Sequence, residues 1–188
     1  MLRRIHIRGY KSLADVRVEL KPLSVIFGPN AAGKSNFLDT LQLVSRLATS
    51  RTLREAFEPP YRGTPLESFT FDAAGVPGLL QRESATLSLE GAVELSPAVA
   101  DAVNEQIREM KRSGPNDHVS ANGASKPHTS IRERMLRYRV GVEIMPKTGI
   151  LRVADEYLAA LNARGEPTKN LYPFRGLPDR RRSGRVRA

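Results

Sequence analysis

The stretch LSVIFGPNAAGKSNFLDTLQLVSRL, residues 23–47, decides the reading of this chain. Its first five residues are a nearly continuous apolar run, the pattern of a strand covered on both faces. The run ends at Gly28, and GPNAAGKS (28–35) satisfies G-x-x-x-x-G-K-[ST]. Beyond it Phe37, Leu38, Leu41, Val44 and Leu47 recur at spacings of three and four, an apolar helical stripe. Strand, glycine-bounded loop and helix therefore follow in the order a phosphate-binding loop requires. A triphosphate carries several negative charges, so its site must bring many donors close together. Small residues let the backbone curl and aim successive amides inward, and the helix N-terminus adds partial positive charge.

On this reading Gly28, Pro29, Asn30, Ala31, Ala32 and Gly33 cradle phosphate. Lys34 reaches the β- and γ-phosphates as a point charge, and Ser35 turns its hydroxyl to a magnesium ion, which takes oxygen ligands. The expected cofactors are ATP and Mg2+, and the site is taken to run on through Asn36.

Working outward, Ile5 and Ile7 alternate with His6, and Val16, Val18 and Leu20 alternate after a turn-like Gly9–Ser12, which reads as an antiparallel strand pair. Downstream, strand patterns recur at 69–71, 86–95 and 136–144, with AAGVPG as a loop and LLQRES as a short turn or helix start. Ser96-Pro97 reads as an N-cap and first helical residue, and Val99, Val103, Ile107 and Met110 form one stripe, closed by Gly114-Pro115. The polar, breaker-rich 113–130 is expected to be a mobile insertion. A PKTG turn then makes Ile150–Val153 a hairpin partner of the preceding strand, and 156–161 looks helical. The domain is placed at 1–165 and a basic, disordered tail at 166–188.

The composition sets outer limits. Net charge is +10, of which +5 falls between Arg175 and Arg187, so DNA is a candidate partner for the tail. There is no cysteine, which excludes disulfides and thiolate metal sites and suits a reducing cytoplasm. The charged N-terminus MLRRIHIRGYK is not a signal peptide, and no apolar stretch has the length of a membrane span.

The segments IHIRGYKSL, VRVEL, LSVIFGPN and GKSNFLDTLQL together resemble the N-terminus of the RecF/SMC/OLD branch of ABC-type, AAA-family ATPases. Asn36 directly after Ser35 is typical of that branch. The one departure in the loop is Ala31 or Ala32, where relatives often carry a second glycine. The resemblance implies an α/β fold: the first lobe of an ABC-ATPase-like P-loop head, with an antiparallel β subdomain and a helical insertion. It also implies ATP hydrolysis in a homodimer or with a partner subunit that completes the site.

Such heads use a Walker B aspartate and an adjacent glutamate, and ILRVADE (150–156) imitates that segment through Asp155 and Glu156. Against the assignment, Arg152 interrupts the run, and the tight turn makes the strand antiparallel to its predecessor, whereas Walker B lies in a parallel core. For the glutamine that such heads place near magnesium, Gln81 is the best-positioned candidate, ahead of Gln42 and Gln106. Lys11 and Arg8 are further candidates for phosphate or base contact. The catalytic set stays open on sequence alone, so ATP binding with little or no turnover by this chain alone is expected. The alternatives are a non-hydrolysing nucleotide-binding module and a basic nucleic-acid-binding protein.

Overall fold

A computed structural model describes residues 1–59, 61–113, 131, 133–162 and 164–168. Strand β1 (Leu2–Tyr10) turns into β2 (Leu13–Glu19), and an extended stretch leads to helix α1 (Lys34–Thr49). Short helices α2 (Leu53–Ala56) and α3 (Gly75–Gln81) precede β3 (Ala85–Glu94). Helix α4 (Pro97–Ser113) and the hairpin β4 (Met135–Met145) and β5 (Ile150–Leu161) complete the order. The five strands form one antiparallel sheet, β2-β1-β3-β4-β5.

Period-two patterning sorts the two faces of this sheet. Ile5, Ile7, Leu87, Leu89, Val140, Val142 and Ile144 turn to one side and are buried against Phe37 and Leu43 of α1 and Phe57, Tyr61 and Phe69 of the following segment. The register Ile7↔Leu89 and Leu89↔Val140 aligns these side chains across the sheet. The opposite face is polar. There Arg139 Nε donates to Asp155 at 2.7 Å, and His6 Nε2 meets Asp15 at 2.7 Å. The hydrogen bond from His6 holds the Asp15 carboxyl below its ordinary value.

Several expectations need correction. Residues 23–27 belong to no strand, and they are exposed: Leu23 by 82%, Val25 by 75%, Ile26 by 44% and Phe27 by 89%. Leaving such side chains in water forgoes about 1.5–3 kcal/mol for each large one. Their chemistry suits a doubly covered strand, but no described strand pairs with them. The α1 stripe is also turned: Leu43 is fully buried and Leu38 is 58% exposed. Thr40 is buried in its place, its hydroxyl donating to Asn36 O at 2.8 Å. Residues 69–71 contribute only an isolated bridge, Tyr10↔Phe69. Helix α3 starts inside the expected AAGVPG loop. The segment 156–161 is strand, not helix, because it continues the ladder with β4 from Val140↔Glu156 to Met135↔Leu161.

Helix α4 begins as expected, with Ser96 Oγ accepting from Val99 N at 3.3 Å. Apart from Ser113, the insertion at 113–130 is outside the described residues except in its sequence, and so is the tail beyond 168. Residues 167 and 168 fold back on β5, where Thr168 N donates to Ala160 O at 2.9 Å. No described helix is long and apolar enough to cross a membrane.

Candidate functional site

The loop from Gly28 to Gly33 turns tightly through backbone conformations that favour glycine. Gly28 (φ 145°) and Gly33 (φ 88°) occupy conformations that side chains rarely adopt, and Ala31 sits left-handed at φ 63°. Ala31 is a non-glycine residue held in the left-handed region, at a cost of order 1–2 kcal/mol. Gly33 is also closely approached: a Cβ there would lie 3.1 Å from Ser12 Oγ and 3.2 Å from Leu13 Cδ2, so those side chains would have to give by a few tenths of an ångström. The β1–β2 turn therefore presses directly on the loop's last glycine. Asn36 Nδ2 reinforces that contact by donating to Ser12 Oγ at 2.8 Å. The side chain of Asn36 so braces the loop against the sheet.

Lys34 closes the loop into a ring. Its ammonium donates to Gly28 O at 2.8 Å and Pro29 O at 2.6 Å, which uses two of its three N–H donors and leaves one for an anion. Immediately beyond, α1 starts with Gly33 as N-cap, no capping side chain and no acidic residue in its first turn. Phe37 N is the first amide to find an intrahelical partner, Gly33 O, at 2.9 Å. The amides before it have no internal partner in the helix, and the helix dipole adds to their positive field. Ser35 is exposed at this rim, and its hydroxyl meets no protein partner among the described residues. Donors, positive field and a free hydroxyl fit a phosphate chain with a hard cation.

Behind the ring lies a network that the sequence reading missed. Asp39 on α1 accepts from Lys11 Nζ at 2.8 Å and from Arg62 at 2.8 Å. Lys11 also donates to Arg62 O at 3.0 Å and lies 5.4 Å and 5.2 Å over the rings of Tyr10 and Tyr61. The Tyr10 and Tyr61 hydroxyls meet at 2.7 Å, and Tyr61 continues to Ser68 Oγ at 2.7 Å. Burial pushes the Tyr10 phenol far above its ordinary range, with the Tyr61 hydrogen bond adding to it. The network fixes α1 to the β1–β2 turn, and hence fixes the helix N-terminus relative to the loop.

Burial works to raise the Asp39 carboxyl, but the hydrogen bonds and charges of Lys11 and Arg62 prevail and hold it below its ordinary 3.8. A carboxyl lowered on folding stabilises the fold above its unfolded pKa, and the contribution vanishes as pH falls through the folded value. Thermal unfolding of the protein should therefore lose stability below about pH 4, and Asp39→Asn should lose less over that window. Parallel acid profiles for the two proteins would remove Asp39 from the argument.

The other candidates stand apart. Lys11 is committed to Asp39, and Arg8 pairs across to Asp15 in the register of the polar face. Gln81 ends α3, exposed, without a side-chain hydrogen bond among the described residues. Asp155 is paired with Arg139, and Glu156 accepts from Tyr138 Oη at 3.1 Å. Both are on edge strand β5, antiparallel to β4. Three strand spacings, about 14 Å, separate it from β1. The structure brings Gly28–Asn36 together with the β1–β2 turn, and leaves Asp155 and Glu156 out of that grouping.

The chain thus joins a ring-closed glycine loop to a helix N-terminus beside an antiparallel sheet. The AAA ATPase domain family matches residues 1–112, and the chain belongs to that family. It is similar to the chromosome partition protein Smc of Desulfitobacterium hafniense, 38% identical over 77 residues, 40% of this chain and 6% of that protein. It is similar to the OLD nuclease of Thermus scotoductus, 41% identical over 44 residues, 23% of this chain and 8% of that protein. The Smc protein of Halothermothrix orenii is 26% identical over 119 residues, 62% of this chain and 9% of that protein. The likeness to the RecF/SMC/OLD type of ATPase is therefore established, while the chain spans less than a tenth of the length of these curated relatives.

Proposed function

We propose that this chain is a nucleotide-binding lobe of a RecF/SMC/OLD-type ATPase, and that it holds ATP with magnesium at residues 28–36. The observation that carries this reading is the closed ring of Lys34 on Gly28 O and Pro29 O, set before the uncapped N-terminus of α1. Phosphate oxygens take the unclaimed amides and the remaining Lys34 proton, and Ser35 Oγ joins them around the cation. Among the described residues no group of three or more His, Asp or Glu is gathered for a metal. The cation's other ligands on this reading are phosphate oxygens and water.

Hydrolysis needs a carboxylate or equivalent group to orient the attacking water, within a closed site. Asp155 and Glu156 are engaged elsewhere, on β5. We therefore assign completion of the site to a second copy or a partner subunit, and expect the chain alone to bind ATP without turning it over. Phosphate release at saturating ATP and magnesium should match that of a Lys34→Ala control. Turnover well above the control, abolished by Asp155→Ala in a folded protein, would place the catalytic carboxylate on β5 and overturn this part of the reading.

A further inference from the structure

We propose that residues 23–27 are the seat of an apolar β-strand that runs parallel to them and is supplied by another polypeptide lobe. The inference deepens the reading above by naming the partner surface beside the phosphate loop. It stands on exposure and unpaired backbone rather than on nucleotide affinity.

Three observations carry it. First, the side chains are uncovered on both sides of an extended segment: Leu23, Val25 and Phe27 are 75–89% exposed, and Ile26, which points the other way, is 44% exposed. An edge strand of a free-standing protein is normally blunted by charge, proline or a bulge, and residues 23–27 carry none of these. Second, from Val25 to Phe27 no backbone amide or carbonyl makes a backbone hydrogen bond among the described residues. Both edges of the segment are open, which is the condition for strand addition. Third, the apolar run is almost unbroken rather than alternating. Alternation marks a strand with one wet face, as in β1, whereas an unbroken run marks a strand with both faces covered, the habit of parallel sheets.

The occupant is not the rest of this chain. Neither 114–130 nor 169–188 contains three consecutive apolar residues. A second copy is the poorer fit, because pairing of 23–27 about a two-fold axis is antiparallel and leaves one edge of each segment open. A lobe with parallel apolar strands covers the faces and closes the edges. It also extends the crevice at the carboxyl end of the segment, where Gly28 begins the loop.

Residue-specific photocrosslinking in the native host cell tests this. The full chain would carry benzoylphenylalanine at Leu23, Val25 or Phe27, one position at a time, and the adducts would be mapped by mass spectrometry. The expected result is adducts to an apolar strand of another polypeptide, advancing towards that strand's C-terminus as the probe moves from 23 to 27. Val25→Lys should abolish the adduct from position 23 with circular dichroism unchanged, since residue 25 is exposed. Adducts in reverse order, adducts to residues 23–27 of a second copy, or no adduct from any position would overturn the proposal. Calorimetry with ATP and magnesium on the same chain separates the two readings. ATP uptake without ordered adducts defeats the strand seat alone, and ordered adducts without ATP uptake defeat the nucleotide reading alone.

Discussion

Lys34→Ala should weaken ATP-magnesium binding by roughly a hundredfold to a thousandfold while leaving the fold intact. The ammonium has two tasks. It ties the start of the loop to the start of α1 through Gly28 O and Pro29 O, and it keeps one N–H for phosphate. A hydrogen bond with charge on both partners contributes about 1.5–3 kcal/mol. Loss of the tie adds the cost of ordering a loop that now samples other conformations on binding, about 1 kcal/mol or more. The sum, about 2.5–4 kcal/mol, corresponds to roughly two to three orders of magnitude in Kd. Lys34→Arg should also fail, because a planar guanidinium cannot occupy a ring sized for a compact ammonium. Titration calorimetry with ATP and magnesium reads the effect, and circular dichroism checks the fold. A Kd within about threefold of the unsubstituted protein, less than 1 kcal/mol, would remove Lys34 from the site.

The loop and α1 were legible in the sequence because their signals are local. A motif of eight residues specifies the ring, and a period of three to four specifies the helix after it. Residues 23–27 were misread for an instructive reason. An apolar run records what a segment needs, namely cover on both faces, and it does not say whether the described chain provides that cover. The α1 stripe failed in a similar way: Leu38 and Leu43 are equally apolar, and only tertiary packing decides which of them is buried. In β5, DEYLAAL has helix-forming composition, but pairing with β4 prevails over propensity. The network of Asp39, Lys11, Arg62, Tyr10, Tyr61 and Ser68 was illegible. It draws on segments as much as 51 residues apart, and polar side chains with no period announce nothing. The signal that existed was a lysine in the turn of the first hairpin, and only its partners give it meaning.

Gly9→Ala should be the most damaging single-methyl change in the described chain, costing about 3–5 kcal/mol. Gly9 sits at φ +68°, which by itself costs a non-glycine residue about 1–2 kcal/mol. An added Cβ would also lie 2.5 Å from Thr86 O and 3.4 Å from Leu87 Cα. Both are backbone atoms of β3, so no side chain can swing aside and the β1–β3 ladder itself must shift. The same residue's carbonyl accepts from Thr70 N at 2.9 Å, so a shift there also disturbs the segment carrying Phe69. Domains of this size are stable by about 5–15 kcal/mol, so a loss of this order brings the protein near unfolding at ordinary temperature. Gly149→Ala is the matched control: its φ is +70°, and a Cβ there would meet nothing within 4 Å. That variant reports the backbone cost alone, about 1–2 kcal/mol. Chemical denaturation of the two variants should therefore differ by about 2 kcal/mol or more, with Gly9→Ala the weaker. ATP affinity should fall with it, because the turn that follows Gly9 carries Lys11 and Ser12, which hold α1 and Gly33 in place. Equal losses in the two variants would mean that β1 does not approach β3 this closely, and the bracing of the phosphate loop by the first hairpin would have to be abandoned.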